Sequence, residues 1–474
     1  MKQHILLIAI IVIASFSRLY QLDKYPAGLN ADEASIGYNA YSLLQTGKDE
    51  YGKPWPLVFR SFDDYKPPVY FYLTLPFVKV FGPTVLAVRL PSAILSILAV
   101  YLIYLFCLQL FKSQRIALLS ALMLTISPWH LQFSRGAWEV NASTTFLLLS
   151  LVLFLKGRES IKYWYLSVLF MVISLYTYHS LRVITPLLLI GLWFIYQDQI
   201  TSRTKQILPI VTIASLLLIP LFFQMVSPEG VSRFNGVSIL ADQGPLWEAL
   251  ELRADHQNNF IAKILHNKYL SYTLRFAKNY LSHFSNRFLF INGDEIARSK
   301  TPESGQVLIY LFPFWFLGLF KLFKRFDKPA KTILLWLFIA PVAAALTFQS
   351  PHALRAENMV IPLSIVIALG LSTANLCKLP LVVLIGALVT FSFVKYLHMY
   401  YIHYPQELAY AWQYGFDQVA DYVKENEQKY DHIIITDRYD QPYILMAFFL
   451  KYPPKLLQKE IVLTSRDQFG FGTV

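Results

Sequence analysis

Apolar residues gather in long runs along this chain, and short polar stretches separate them. The runs fall near 4–22, 85–111, 116–132, 142–156, 162–179, 183–197, 206–224, 305–323, 331–348, 356–376 and 379–398. A helix needs about 20 mainly apolar residues to cross the hydrocarbon core of a bilayer. The pattern therefore predicts an all-α polytopic membrane protein with about eleven transmembrane helices. Three polar segments are too long to be simple connectors. In the first, 23–84, Tyr38, Tyr41 and Leu44 recur at helical spacing, and Pro26, Pro54, Pro67 and Pro68 interrupt them. Short helices lying on the membrane surface are expected there. The second, 225–304, predicts an interfacial helix around 259–280. The third is the tail from Pro405, which reads as a helix (Leu408, Trp412, Phe416, Val419, Val423), a strand (His432–Thr436) and a helix (Tyr443–Leu450). The chain thus divides into a transmembrane domain, 1–404, with outer loops 23–84 and 225–304, and a small outer α/β C-terminal segment, 405–474. The tail is thin for a core of its own.

Composition agrees with the pattern. Only 15% of residues are charged, where a soluble chain carries about a quarter. Tyr, Trp and Phe crowd the ends of the runs, where a ring buries its body and keeps a polar tip wet. The net charge of +12 comes from Lys112 and Arg115, from Lys156, Arg158 and Lys162, from Arg203 and Lys205, and from Lys321, Lys324, Arg325, Lys328 and Lys331. All sit in alternate short turns. That is the positive-inside bias of a cell-membrane protein with a cytoplasmic N-terminus and an outer C-terminus, and it leaves no case for a nucleic-acid partner. The first run lacks a convincing cleavage site and reads as an uncleaved span. Cys107 and Cys377 have no metal-ligand or disulfide spacing.

The candidate chemistry lies at the outer ends of the helices. The spans carry almost no ionisable residues, whereas carriers usually place such groups at mid-membrane. Asp32 and Glu33, the candidate catalytic carboxylates, follow Pro26, Gly28 and Asn30 just outside the first span; being adjacent they point apart, so one of them, Asp32, is expected to be the base. Asp32 suits a helix N-cap. It also suits a general base that deprotonates an acceptor hydroxyl, as an inverting displacement at a sugar carbon requires. Asp63, Asp64, Tyr65 and Lys66 precede Pro67 and Pro68, and the prolines force Lys66 into an extended backbone. An ammonium fixed there is a point charge for a lipid phosphate, or snorkels beside the acidic pair. Further outer ends carry Trp129, His130, Arg135 and Glu139; Tyr178, His179 and Arg182; His352 and Arg355; and Asp294, Glu295 and Arg298. Each Arg can anchor to headgroups, while two or three converging would neutralise a departing phosphate. The histidines lack the paired spacing of a zinc site. Asp32, Glu33 and Asp64 offer oxygens to magnesium or manganese, and no other cofactor is indicated.

Asn30-Ala31-Asp32-Glu33-Ala34 after the first span, followed by Lys66-Pro67-Pro68 and Tyr70, resembles the membrane glycosyltransferases of the GT-C type. The nearest branch is that of the protein O-mannosyltransferases and aminoarabinose transferases, glycosyltransferase family 39-like. Ser134-Arg135, and the His352/Arg355 turn before a helix containing Pro362, resemble bacterial members. The resemblance covers about residues 1–400. It implies transfer from a polyprenyl-phosphate-linked sugar at the outer face of the membrane, for cell-envelope glycosylation of a lipid, glycan or protein acceptor. Asp32 then matches the family's acidic residue at the scissile bond, and Lys66 the lysine on the donor phosphate. Arg135, Arg182 and Arg355 are further phosphate candidates. Asp63, Asp64, Tyr65, His130, Glu139, His179, Asp294, Arg298 and His352 are supporting candidates. Ser35 stands where many relatives carry Arg, and the short tail does not match that of a protein mannosyltransferase. Two competing functions fit the same topology: a glycolipid transporter or flippase, and a noncatalytic subunit of an envelope glycan complex.

Overall fold

The computed structural model describes residues 2–62, 64–373 and 379–461; Asp63, Cys377 and the last part of the tail lie outside them. The fold is helical, and among the described residues the sheet is a single hairpin of two three-residue strands. Among the described residues six helices are long and apolar enough to cross a membrane: Val85–Phe111, Glu139–Lys156, Leu181–Thr201, Thr204–Val226, Lys328–Ala345 and Pro380–Glu407. The run at 116–132 becomes a pair, Gln114–Thr125 and Pro128–Ser134, bent by 58°. Ser127 caps the second member by accepting from the His130 N–H, and Pro128 opens it without a donor to spend. Four shorter apolar helices, Gln3–Leu19, Val69–Phe81, Lys162–Leu175 and Glu357–Thr373, complete the apolar set. The chain is therefore a multi-pass membrane protein, with fewer full-length spans than the eleven runs suggest. The run at 116–132 is bent, and those at 4–22, 162–179 and 356–376 form helices that end short of membrane length.

Packing in the bundle depends on small residues. A Cβ on Gly318 would lie 1.9 Å from the Val366 carbonyl oxygen, and one on Gly370 1.9 Å from that of Phe314. The helices Phe312–Arg325 and Val360–Thr373 thus cross backbone to backbone, as small residues allow between membrane helices. The basic turns gather at one end of the bundle. Arg203 donates to the Gly157 and Arg158 carbonyls, Arg158 to Gln199 and Lys328 to Asp198.

The first loop is more ordered than a run of surface helices. Helix α1 (Lys2–Leu19) leads into α2 (Ala31–Thr46); strands β1 (Phe59–Ser61) and β2 (Asp64–Lys66) follow, then α3 (Val69–Phe81) and α4 (Val85–Phe111). The hairpin pairs Phe59 with Lys66, so Lys66 is extended, as the two prolines require. The cap of α2 is Asn30 rather than Asp32. The Asn30 side chain accepts from the Glu33 N–H and the Glu33 carboxylate reaches back to the Asn30 N–H, a capping box. In segment 225–304 the expected interfacial helix is present as Phe260–Leu265 and Lys268–Ser282.

The tail folds onto α2. The helix Pro442–Leu450 packs along it, Tyr38 donates to the Tyr452 carbonyl, and Gln458 donates to Ser42, Thr46 and the Asp49 carbonyl. Helices at 416–426 and 442–450 match the periodicity, but His432–Thr436 joins no ladder. Its run of three isoleucines, 433–435, finds no partner strand among the described residues, so the described tail is helical rather than α/β.

Candidate active site

The site is built around the start of α2, and Glu33 holds it in place. Arg89, in the first turns of α4, spends all five N–H groups there. Two go to the Glu33 oxygens at 3.0 and 2.9 Å, and three to the carbonyls of Leu22, Pro26 and Gly28. Glu33 also accepts from the Ala137 N–H at 2.8 Å. Both side chains are enclosed, Arg89 fully and Glu33 to within 2%. Glu33 therefore presents no face to a substrate, and it serves as framework rather than as a second reacting carboxylate. Asp32, one residue earlier, points the other way and is 38% exposed.

Asp32 lies between two cations. One carboxylate oxygen bonds the Lys66 ammonium, and the other is 3.8 Å from Arg298. Burial works to lower the Lys66 pKa, but Asp32, Glu139 and Asp64 outweigh it and hold the ammonium above its ordinary range. Asp440 faces the same group. Partial enclosure and the nearby Asp32 raise its carboxyl above the usual value. Asp64 on β2, Glu139 and Arg298 thus gather around the Asp32–Lys66 pair, from three segments far apart in sequence.

Two hollows flank this centre. A groove of about 350 Å³ has Tyr65, His179, Arg182 and Arg355 at its polar end and Val183, Met225, Val231, Phe234 and Leu346 along its walls. Tyr65 ties it to Lys66 through β2, where the Tyr65 carbonyl lies 3.1 Å from His179 Nε2. Arg182 donates to Gln224 and Arg355 to Thr347. On the Arg298 side a cleft of about 790 Å³ is bounded by residues 296–298, 410–419 and 435–440.

The remaining candidates do not reach the centre. Arg135 is fully buried and donates to the carbonyls of Ser17, Tyr20, Gln21 and Tyr25, so it closes the end of α1 instead of meeting a phosphate. His130 is buried against Arg18 at 2.9 Å. Asp294 accepts from the Ile296 and Ala353 N–H groups and lies 3.8 Å from buried His352. These two brace the turn that carries Arg298. Of the three carboxylates named for magnesium or manganese, Glu33 is bound to Arg89 and Asp32 faces Lys66 and Arg298. Among the described residues no three His, Cys, Asp or Glu side chains group as metal ligands do.

Periodicity did not single out Arg89, Gln413, Asp440 or Glu50. Arg89 had a usable signal, since a charge within an apolar run is costly unless paired. Gln413 accepts from the Ala31 N–H at 2.6 Å and donates to the Tyr439 and Asp440 carbonyls, joining α2 to the cleft wall. Gly28 matters for the same wall. Its φ is +85°, and a Cβ there would lie 2.5 Å from the Trp412 carbonyl oxygen. Gly28→Ala is expected to cost about 1–2 kcal/mol in backbone strain alone and to push residues 412–414 outward. A thermal melt and a transfer assay on the same preparation should both show loss.

Glu50 fixes the other end of α2. It accepts from the Asn39 side chain at 2.9 Å and lies 3.5 Å from the Tyr443 hydroxyl. Burial raises its pKa from 4.5 to about 8. The folded state keeps the proton that the unfolded chain releases above pH 4.5. The stability this group supplies is thus complete below pH 4.5 and is lost as pH rises to about 8. Glu50→Gln should flatten the fall in melting temperature across that window, measured in detergent.

Residues 65–224 match the family model described as dolichyl-phosphate-mannose-protein mannosyltransferase. ArnT from Cupriavidus metallidurans, solved bound to undecaprenyl phosphate, superposes with a TM-score of 0.56 at 13% identity, over 95% of this chain and 84% of ArnT. The chain has the fold of the GT-C membrane glycosyltransferases. The oligosaccharyltransferase AglB from Archaeoglobus fulgidus, solved with an inhibitory peptide and a dolichol phosphate, superposes with a TM-score of 0.54 at 15% identity. That match covers 93% of this chain but only 60% of AglB. Among curated proteins no sequence match is found.

Proposed function

We propose that the chain is an inverting glycosyltransferase that moves a sugar from a polyprenyl phosphate to an acceptor at the outer face of the membrane. The observation that carries this reading is Asp32, a half-exposed carboxylate between Lys66 and Arg298, with an apolar-walled groove beyond Tyr65 on the Lys66 side and a cleft on the Arg298 side. The prenyl chain occupies the apolar groove, and its phosphate rests toward Lys66, Arg182 and Arg355. Asp32 takes the proton from the acceptor hydroxyl as that oxygen attacks the anomeric carbon. The bond from the anomeric carbon to the phosphate oxygen breaks, and the polyprenyl phosphate departs with the electron pair. The cations stabilise the charge that grows on it. The fold match and the family match to residues 65–224 support the glycosyltransferase class. The cytoplasmic N-terminus, with residues 405–474 on the outer side, belongs to the same proposal; basic turns remote in sequence meeting one another support it.

The test is release of polyprenyl phosphate when the purified chain meets a panel of polyprenyl-phosphate sugars in nanodiscs. Movement of labelled lipid between leaflets with no product from any donor would replace this reading with a flippase. Lys66→Met should lower the transfer rate about 100- to 1,000-fold, as loss of one fixed charge at a developing oxyanion does elsewhere. If single-turnover kinetics instead showed an unchanged rate with weaker donor affinity, Lys66 would bind donor and transition state alike.

A further inference from the structure

The cleft beside Arg298 has a composition that the transfer reaction by itself does not require. Tyr410, Tyr414, Phe416 and Tyr439 line it, together with Gln413, Thr436 and Asp440. Three of these rings are open: Tyr410 is 72% exposed, Tyr414 56% and Tyr439 60%. Grouped around one cleft beside Asp440 and Gln413, they offer a ligand flat apolar faces next to hydrogen-bonding groups. Pyranose rings have an apolar face of C–H bonds and a rim of hydroxyls. The C–H face settles on the electron-rich face of an aromatic ring, and the rim needs neighbouring acceptors and donors such as a carboxylate and an amide.

The charge of the cleft narrows the class. Arg298 is its one cation among the lining residues and already faces Asp32. Asp440 adds negative charge. A phosphorylated or otherwise anionic acceptor would meet no surplus positive charge here, and an acyl chain would leave Asp440 and Thr436 facing hydrocarbon. Position completes the case. The two oxygens of Asp32 face different cations, Lys66 adjoining the lipid groove and Arg298 at the cleft. A hydroxyl entering from the cleft therefore meets the base from the side away from the donor. Gln413 fixes the cleft wall to the first residue of α2, so base and wall move as one piece.

From this geometry we infer that the acceptor is a neutral saccharide, stacked on Tyr414 and Tyr439 and held by Asp440, which presents one hydroxyl to Asp32. The inference rests on the proposed glycosyl transfer, but its test reads acceptor binding without any donor. The full chain in nanodiscs, free of sugar-headed detergent, is examined by saturation-transfer NMR with methyl mannoside, methyl glucoside, cellobiose, mannobiose and chitobiose. At least one should receive saturation, strongest on its C–H face. The signal should fall at least about five-fold in the Tyr414→Ala/Tyr439→Ala pair, since a single stacking contact is worth about 1 kcal/mol. It should survive in the Tyr→Phe pair and in Asp32→Asn, and should weaken in Asp440→Ser, which keeps both rings. No saturation of any sugar, or saturation indifferent to both the alanine pair and Asp440→Ser, would overturn the inference. So would saturation of a Ser/Thr-containing peptide in place of the sugars, because Ile435 and Thr436 leave extended backbone in the same cleft. If sugars bind but Asp32→Asn still transfers, the reading of Asp32 fails and the saccharide site stands.

Discussion

Asp32→Asn is expected to reduce sugar transfer at least 100-fold, and up to about 10,000-fold, while the protein keeps its fold. The lower bound is the usual contribution of a positioned general base. The amide is nearly isosteric and keeps the capping box, because Asn30 and Glu33 make that box without Asp32. Melting temperature should therefore change little. A second effect follows from the pairing with Lys66. Asp32 is the main group raising that ammonium against the pull of burial, so in Asp32→Asn the Lys66 pKa drops. Donor affinity in the variant should then decline at a lower pH than in the parent, as the lysine loses its proton. Asp32→Glu keeps the charge at the wrong reach and should restore part of the rate and most of the pH profile. Full transfer by Asp32→Asn would remove Asp32 from the chemistry and leave it as a partner for Lys66 alone.

How far the site could be read from sequence depends on how local its causes are. Lys66 was legible because Pro67 and Pro68 restrict it directly, and the hairpin shows it extended. The helix at 31–46 was legible from the spacing of Tyr38, Tyr41 and Leu44, but the hairpin was not, since three-residue strands leave almost no alternation to detect. The pairing of Asp32 with Arg298 spans 266 positions, and nothing near either residue announces the other. Arg135 and His130 looked like outer-rim groups because both lie at a helix end. In fact the bend between Gln114–Thr125 and Pro128–Ser134 turns them inward, onto the last turn of α1. Adjacent carboxylates were expected to point apart, and they do. Periodicity could not say which was buried, because that depends on Arg89 arriving from α4. The cleft needed the tail to fold back on α2, an apolar contact between α2 and the helix Pro442–Leu450, and an apolar run does not announce which helix it will cover.

Glu33→Gln is the change expected to cost most in stability, about 3–5 kcal/mol, because it leaves the Arg89 guanidinium buried without a counter-charge. Its geometry makes the effect larger than the loss of one pair. Arg89 also ties down the carbonyls of Leu22, Pro26 and Gly28, and Glu33 holds the Ala137 N–H. Loosening the pair releases the segment between α1 and α2 that aims Asp32. Transfer should thus fall together with melting temperature, unlike in Asp32→Asn, where it falls alone. Arg89→Met should be at least as damaging, since it strands a carboxylate whose side chain is only 2% exposed. The double change Glu33→Leu/Arg89→Met removes both charges and should recover part of the lost stability, as apolar replacements of buried pairs do. It should not recover transfer, because the three carbonyls still lack their donor. A Glu33→Gln protein with unaltered melting temperature and no transfer would contradict the framework role and return Glu33 to the reacting groups.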